Sequence, residues 1–241
     1  MTPRVSAVVP TYNGRERLVE TVPALLREPE LHELIVVVDG SEDGSIELLE
    51  EMAAADERLR PLLVENGGDN RARQVGIEHA TGDIVLFLDD DVVAHPGLVA
   101  GHARHHAARD RLVVIGYMPV ATPIGPAPED VGVRLYSQYY ETQCREYERR
   151  PDRILHNLWN GNVSVPRAEC LALGISNPAY DTRFGSSNNA RTTPALCSNL
   201  TREVPFRAGR SKREELRSCQ FRGHHRIRSA DLTRHSSVNQ G

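Results

Sequence analysis

Cysteine is scarce in this chain, and no two of its cysteines form a C-x-x-C pair. The four are Cys144, Cys170, Cys197 and Cys219. Zinc sites and disulfide frameworks usually show short, regular cysteine spacings, so this scatter favours reduced thiols. Long hydrophobic runs are also lacking: no stretch of about 18 apolar residues occurs, which predicts no membrane-spanning helix. The apolar run Val5–Pro10 is too short for a signal peptide, and we expect a cytoplasmic protein.

Two common nucleotide fingerprints are lacking as well. No G-x-G-x-x-G follows a strand-like run, and no G-x-x-x-x-G-K-[ST] occurs, which argues against a dinucleotide dehydrogenase and a P-loop NTPase. The net charge of −4 hides an asymmetry: residues 186–241 carry 11 Lys and Arg against 4 Asp and Glu. The rest of the chain is therefore acidic and gives no sign of a nucleic-acid groove, so we expect no nucleic-acid partner.

Apolar runs alternate with helical patterns through the first 118 residues. Val5–Pro10 is the first strand-like run. Leu34–Val38 is a continuous apolar run, typical of a strand buried on both faces, and Leu59–Val64 and Ile84–Leu88 are the third and fourth strands. A fifth strand is expected at 112–117, and Ser45 is a candidate N-cap for the second helix. The alternation predicts an α/β fold with a mostly parallel sheet and helices on both faces.

Three polar segments each follow a predicted strand: Pro10–Gly14, Asp39–Ser41 and Asp89–Asp91. In open α/β sheets, ligands bind beyond the carboxyl ends of the strands, so these segments should share one edge. The three adjacent carboxylates repel one another unless a cation neutralises them, and hard divalent cations are their usual partners. The alternative is a solvated loop whose aspartates cap the next helix.

In order and spacing, these segments resemble those of family 2 glycosyltransferases, which have the nucleotide-sugar-binding fold called GT-A. The matching pieces are Val8–Asn13, Val36–Ser45, Asn66–Gly68, Ala72–Gly76, Ala80–Asp83 and Phe87–Asp91. The segments Asn160–Arg167 and Tyr180–Gly185 extend the resemblance to about residue 185.

The resemblance implies a nucleotide-diphosphate sugar as donor. In this family the first loop wraps the nucleoside, the acid after the second strand contacts the base or ribose, and an arginine lies near the diphosphate. The implied donor-binding residues are Pro10, Thr11, Tyr12, Asn13, Asp39, Arg73, Asp89 and Asp90. Two alternatives stay open: Asp39 as a turn residue, and Arg73 as a solvated helix residue.

Asp89 and Asp91 match the first and third positions of the family's D-x-D motif, which implies that they ligate Mn²⁺ or Mg²⁺. Transfer breaks the bond between the anomeric carbon and a diphosphate, so negative charge grows on the leaving group and needs stabilisation. The acceptor hydroxyl needs a base in the inverting reaction that the resemblance implies. The resemblance places that base soon after Tyr180–Gly185, and Asp181 is our candidate.

No acid lies between Asp181 and Glu203, so the base has alternatives. Glu203, Glu214 or Glu215 could fold back, or the base could be missing, which would leave a nucleotide-sugar-binding protein with weak or lost transfer. His224 and His225 could complete a metal shell or be solvated. For the function as a whole, a third hypothesis beside a transferase and a binding protein is a nucleotidyltransferase of related fold. The Gly-rich basic loop typical of those enzymes is lacking after the first strand.

Three parts of the chain are expected. Residues 1–118 would bind the nucleotide-sugar, and residues 119–185 would form the acceptor side. Residues 186–241, basic and poor in apolar side chains, would be an atypical, truncated or poorly ordered tail. A basic tail is compatible with peripheral membrane contact and with a saccharide or lipid-linked acceptor. The aromatics of 131–150, including Tyr136, Tyr139 and Tyr140, could stack on an acceptor or belong to the core.

Overall fold

A computed structural model describes residues 2–109, 112–121, 131–150, 161–173 and 219–221. The strands within these ranges are β1 (Val5–Thr11), β2 (Leu31–Asp39), β3 (Leu59–Val64), β4 (Ile84–Leu88), β5 (Val92–Ala94), β6 (Val114–Ile115), β7 (Asn162–Pro166) and β8 (Cys219–Phe221). The helices are α1 (Arg15–Leu26), α2 (Ser45–Ala53), α3 (Asp69–His79), α4 (Leu98–Ala108), α5 (Val131–Arg149) and α6 (Arg167–Leu173).

The central sheet has six strands in the order β3-β2-β1-β4-β7-β6. The first four are mutually parallel, and β7 runs antiparallel to both β4 and β6. The predicted mostly parallel α/β sheet with helices on both faces is therefore confirmed. Because β1, β2 and β4 are parallel neighbours, Thr11, Asp39 and Leu88 end at one edge, and the loops that follow them meet there.

Helices cover both faces of this sheet, which explains why its strands are continuous apolar runs. Alternate residues of β2 face opposite sides: Leu34 and Val36 pack with α1, α2 and α4, whereas Ile35 and Val37 pack with α3 and α6. The side-chain period of two in a strand thus divides the core into two layers.

The second helix begins differently from our expectation. Ser45 is its first helical residue, and the N-cap is Gly44, which adopts φ +81°. Asp43 acts as the cap instead, because its carboxylate accepts from the Ser45 backbone N–H at 3.1 Å and from the Arg15 backbone N–H at 2.9 Å. One carboxylate therefore satisfies the first turns of both α2 and α1.

One other boundary differs from the sequence expectation. The strand predicted over 112–117 is only Val114–Ile115 in the structure, since only those residues pair with β7. Within the expected tail, Cys219–Phe221 forms β8 and pairs antiparallel with β5, so this short segment is ordered as a strand. The rest of 174–241, including Asp181, His224 and His225, lies outside the described residues.

In the described part of the chain, no helix is both long and apolar enough to cross a membrane.

Candidate functional site

The carboxyl edge of the sheet carries the polar segments that the sequence singled out. The β1 end leads into Tyr12 and Asn13, the β2 end is Asp39, and the β4 end leads into Asp89, Asp90 and Asp91. Hydrogen bonds between these loops show that they are neighbours in space, since Thr11 Oγ1 donates to Asp90 Oδ2 at 2.6 Å. The expectation that they share one edge is confirmed.

The middle aspartate, Asp90, is held inside the protein. Its carboxylate accepts from Thr11 Oγ1 and from two nitrogens of Arg17, Nε at 2.9 Å and Nη2 at 2.7 Å. The Thr21 hydroxyl donates to the Asp90 backbone carbonyl at 2.8 Å. These bonds tie α1 to the loop after β4. Direct contact of Asp90 with the sugar donor stays a prediction. In the structure, Asp90 already holds α1 against the loop after β4.

Asp89 is paired with the buried arginine of α3. Arg73 Nη2 lies 2.5 Å from Asp89 Oδ1, and Arg73 Nε donates to Asp69 Oδ2 at 3.0 Å. The guanidinium is 3% exposed and stands 5.7 Å from the centre of the Phe87 ring. Although burial lowers the pKa of Arg73, the two carboxylates more than offset that effect and raise it. The solvated-helix alternative for Arg73 is therefore wrong, and its Nη1 atom remains without a hydrogen-bond partner.

Asp91 differs from both of its neighbours. It is 7% exposed, and its Oδ1 atom is buried without any hydrogen-bond partner. Burial raises the pKa of Asp91 to about 8, and the charges of Asp89 and Asp90 add to the effect. Asp90 and Asp89 are thus paired with Arg17 and Arg73, whereas this oxygen of Asp91 has no partner. A buried acid left in this state is typical of a functional site.

Asp39 organises the neighbouring loop. Its two carboxylate oxygens accept from the backbone N–H groups of Gly67 and Gly68, at 2.8 and 2.9 Å, and Asn66 Nδ2 donates to its carbonyl at 3.0 Å. Gly40 must be a glycine here, because it adopts φ +68° and a Cβ would come within 2.8 Å of Asn66. Asp39 is therefore more than a turn residue, because its carboxylate also fixes the loop between β3 and α3.

The first loop presents one aromatic side chain to solvent. Tyr12 is 55% exposed, whereas Pro10 and Thr11 are buried at the end of β1. Asn13 adopts φ +47°, and its backbone N–H donates to Ser41 Oγ at 2.9 Å while its Oδ1 accepts from the Glu42 N–H at 3.1 Å. Asn13 therefore joins two loops of the site edge, and Tyr12 is left available for stacking.

Two residues of this site escaped the sequence reasoning. Arg17, which neutralises Asp90, looked like an ordinary exposed helix residue; its position one turn beyond the first loop was the only available signal. Gly161, directly before β7, lies in the segment Asn160–Arg167 that the resemblance named, but no contact with the acid cluster was predicted for it. Its carbonyl accepts from the Asp89 N–H at 3.3 Å, and a Cβ on it would lie 2.7 Å from Asp89 Oδ2. Only the tertiary structure shows that β7 lies beside β4.

The long helix α5 reaches the site as well. Burial, together with the charges of Asp89 and Asp91, raises the pKa of Tyr136. Tyr140 is buried and its hydroxyl accepts from the Met118 N–H at 2.8 Å, whereas Leu135 and Tyr139 are exposed. Core packing therefore holds for Tyr140, and the exposed Tyr139 leaves the acceptor-stacking alternative open.

No group of three or more His, Cys, Asp or Glu side chains in the described ranges is arranged to hold a metal ion by itself. Asp89 and Asp91 would supply two carboxylates to a metal ion, so its further ligands must be groups other than the His, Cys, Asp and Glu side chains of the described ranges.

A mostly parallel sheet with helices on both faces and an aspartate cluster at its carboxyl edge is typical of the GT-A fold. A sequence profile for "Glycosyl transferase family 2" matches residues 6–162. The chain belongs to this family, as the resemblance indicated.

Curated relatives agree with that assignment. The undecaprenyl-phosphate 4-deoxy-4-formamido-L-arabinose transferase of Pseudomonas fluorescens is 39% identical over 208 residues, which cover 83% of this chain and 54% of the relative. The uncharacterized glycosyltransferase YfnE of Bacillus subtilis is 32% identical over 149 residues, 61% of this chain and 35% of the relative. The chain thus spans about a third to a half of the length of these relatives.

Solved structures show the same fold. A mannosyltransferase from Pyrobaculum calidifontis, in complex with GDP-Man and Mn²⁺, aligns with a TM-score of 0.67 at 18% identity and covers 98% of this chain and 61% of that one. TarS residues 1–349 of S. aureus, in complex with UDP-GlcNAc, align at 0.61 and 20% identity, covering 80% and 53%. At these identities the likeness is one of fold.

Proposed function

We propose that this protein transfers a sugar from a nucleotide-diphosphate donor to an acceptor hydroxyl in a metal-dependent, inverting reaction. The observation that carries the proposal is the buried, unpartnered Oδ1 of Asp91 beside Asp89, at the sheet edge where GT-A folds bind their donors. Family membership and the GDP-Man and UDP-GlcNAc complexes of the structural relatives support the donor class.

The acid cluster fits a hard divalent cation. Carboxylate oxygens are the ligands that Mg²⁺ and Mn²⁺ prefer. A cation would favour the charged form of Asp91, whose pKa is raised to about 8 by burial and, in addition, by the charges of Asp89 and Asp90. Asp89 and Asp91 would hold it, with donor phosphates completing the ligand set. When bound, such a cation supplies Lewis-acid stabilisation of the diphosphate leaving group. The Mn²⁺ in the Pyrobaculum relative supports this choice without fixing the ion.

The remaining residues would bind and orient the donor. Tyr12 is exposed and can stack on the base, while Asp39 has spare lone pairs for a donor N–H or O–H beyond its two backbone bonds. Arg73 fixes the orientation of the Asp89 carboxylate and carries an unpartnered N–H group. Asp181 remains our candidate base for the acceptor hydroxyl, and it lies outside the described residues.

The name of one relative, which covers 83% of this chain, suggests the class of the acceptor. That relative's name specifies undecaprenyl phosphate, a lipid carrier, which supports a lipid-linked acceptor and peripheral contact with a membrane. On α5, Val131, Leu135 and Tyr139 are exposed at a spacing of four residues, which places apolar side chains on one helix face near the site. A saccharide acceptor is the alternative.

Binding without efficient transfer is the second candidate function. It is favoured by one feature of the sequence, the lack of any acid between Asp181 and Glu203 where the resemblance places the base. An assay for nucleotide release with a panel of saccharide and lipid-phosphate acceptors separates the two: turnover supports a transferase, and tight donor binding without turnover supports a binding protein.

The donor site itself is tested by calorimetric titration of UDP, GDP and dTDP, each with and without Mn²⁺. We expect one nucleotide to bind in a metal-dependent manner and the binding to be lost in Asp91→Asn. The matched control is Asp83→Asn, an exposed aspartate whose partner is Arg4 at the opposite edge of the sheet. Equal loss in both variants, or no binding to folded wild type, would contradict the proposal.

A further inference from the structure

A buried cluster of four polar side chains lies between α4 and β7, beneath the site edge. His102 and His106 are one turn apart on α4, and Asn162 and Ser164 lie two residues apart on β7, so each pair faces the other element. Asn162 and Ser164 are fully buried, and the two histidines are nearly so. Neighbouring residues on this face of the sheet are apolar.

The hydrogen bonds of the cluster form one chain. His102 Nε2 lies 3.0 Å from Asn162 Oδ1, an acceptor, so this nitrogen carries the proton and Nδ1 must accept. Ser164 Oγ then donates to His102 Nδ1 at 2.7 Å and accepts from His106 Nε2 at 2.8 Å. Every polar atom in this sequence of bonds has a partner while both rings are neutral. Burial lowers the pKa of His102 to about 3 and that of His106 to about 4, which keeps them neutral.

This series of hydrogen bonds ends at Asn162, the residue directly after Gly161, which contacts the acid cluster. Asn162 is the first residue of β7 and follows Gly161, whose carbonyl accepts the Asp89 N–H. The backbone carbonyl of Asn162 accepts from the Gly116 N–H at 2.9 Å, and a Cβ on Gly116 would overlap the Asn162 side-chain amide. The Asn162 side chain is thus enclosed between His102 and Gly116, which leaves Gly161 little freedom to move relative to Asp89.

Apolar side chains would fill this space at lower desolvation cost. The presence of this hydrogen-bonded series of polar side chains therefore needs an explanation other than stability. We infer that His102, His106 and Ser164 are positioning residues of the donor site: through Asn162 they fix Gly161 against Asp89 and so set where the Asp89 carboxylate stands relative to Asp91. This inference rests on the proposed donor site. None of the three needs to touch the donor, because they act through the β7 backbone.

Hydrogen exchange tests the positioning without any ligand. Ser164→Ala removes the hydroxyl that both imidazoles share, and we expect the Asp89 amide to exchange about tenfold faster as Gly161 loosens. The matched control is Ser6→Ala, another fully buried serine with two partners, Glu33 Oε1 and the Gly82 N–H, at the opposite end of the sheet. Equal acceleration at Asp89 in the two variants would overturn the inference.

Donor binding provides the second test, at His106, which lies at the end of the hydrogen-bonded series farthest from Asn162. His106→Gln keeps an N–H donor for Ser164, whereas His106→Leu removes it. We expect His106→Leu to weaken binding of the metal–nucleotide pair about tenfold and His106→Gln to stay within about twofold of wild type, with both variants folded. Equal affinities for the two variants would overturn the inference.

The two failures are distinguishable. If folded wild type binds no nucleotide with Mn²⁺, the proposed function fails. The hydrogen-exchange comparison between Ser164→Ala and Ser6→Ala still decides whether the hydrogen-bonded series positions Asp89. If wild type binds but the variant pairs do not differ in affinity or in exchange, the donor site stands and the positioning role falls.

Discussion

Buried carboxylates occur at both ends of the central sheet, and they are treated in opposite ways. At the amino end of β2, Glu33 accepts from Ser6 Oγ, from the Thr81 backbone N–H and hydroxyl, and from Arg60, and these bonds outweigh burial to lower its pKa to about 2. At the carboxyl end, Asp91 has an unpartnered oxygen and a pKa raised to about 8.

The difference separates a stabilising acid from one that costs stability. A carboxylate with a lowered pKa favours the folded state, whereas one with a raised pKa disfavours it above the acid's unfolded pKa. Carboxylates with a raised pKa are common in active sites, where a ligand supplies the missing partner. The contrast between Glu33 and Asp91 is therefore an internal test of where the function lies.

The largest effect should come from Asp91→Asn. We expect metal-dependent nucleotide binding to fall by about 100-fold or more, because the variant removes a proposed metal ligand itself rather than a residue that positions a ligand. The ligand-free protein should melt at the same or a higher temperature at pH 7, since the amide avoids the cost of protonating or burying a carboxylate at this position. A calorimetric titration paired with a thermal melt measures both, and a large drop in melting temperature would contradict our reading of Asp91.

Glu33→Gln should show the reverse pattern. The pKa shift from 4.5 to about 2 corresponds to about 3 kcal/mol of stability at neutral pH, lost when the charge is removed. Chemical denaturation measures the free energy of unfolding, with exposed Glu30→Gln as the control. Nucleotide affinity of the folded fraction should not change; a change there would mean that the two ends of the sheet are coupled.

The pH dependence sharpens the same comparison. Because the folded pKa of Glu33 is lowered, its contribution is present above the unfolded value of 4.5 and disappears as pH falls through about 2. The difference in unfolding free energy between wild type and Glu33→Gln should therefore be constant from pH 7 to 5 and shrink steadily from pH 4.5 toward 2. Denaturation at each pH gives this difference, and a gap that widens in acid would refute the assignment.

Asp43→Ala should have the smallest effect. Asp43 lies on the site edge, yet its carboxylate is occupied by the first turns of α1 and α2, so it belongs with Glu33 rather than Asp91. Loss of a helix cap costs about 1 kcal/mol. We expect that loss by chemical denaturation with nucleotide affinity close to wild type, and an affinity loss comparable to that of Asp91→Asn would mean that Asp43 contacts the donor.

Much of this architecture was readable from the chain. Continuous apolar runs fixed β2 and β4 because strands buried on both faces leave no polar alternation, and the segments after them had to share an edge because parallel strands end together. The acid cluster was visible as a motif. Helix capping by Asp43 rather than Ser45 was not, since both residues are good caps and only the backbone geometry at Gly44 decides between them.

What the sequence alone determined is that three adjacent aspartates follow a buried strand in a glycosyltransferase-like order of motifs. The tertiary structure decided which of the three is left without a partner. Arg17, 73 residues away, pairs with Asp90, and Arg73, 16 residues away, pairs with Asp89, so it is Asp91 whose buried Oδ1 is left without a partner. The physical reason is that pairing depends on distances across the fold, which identical neighbouring residues cannot reveal.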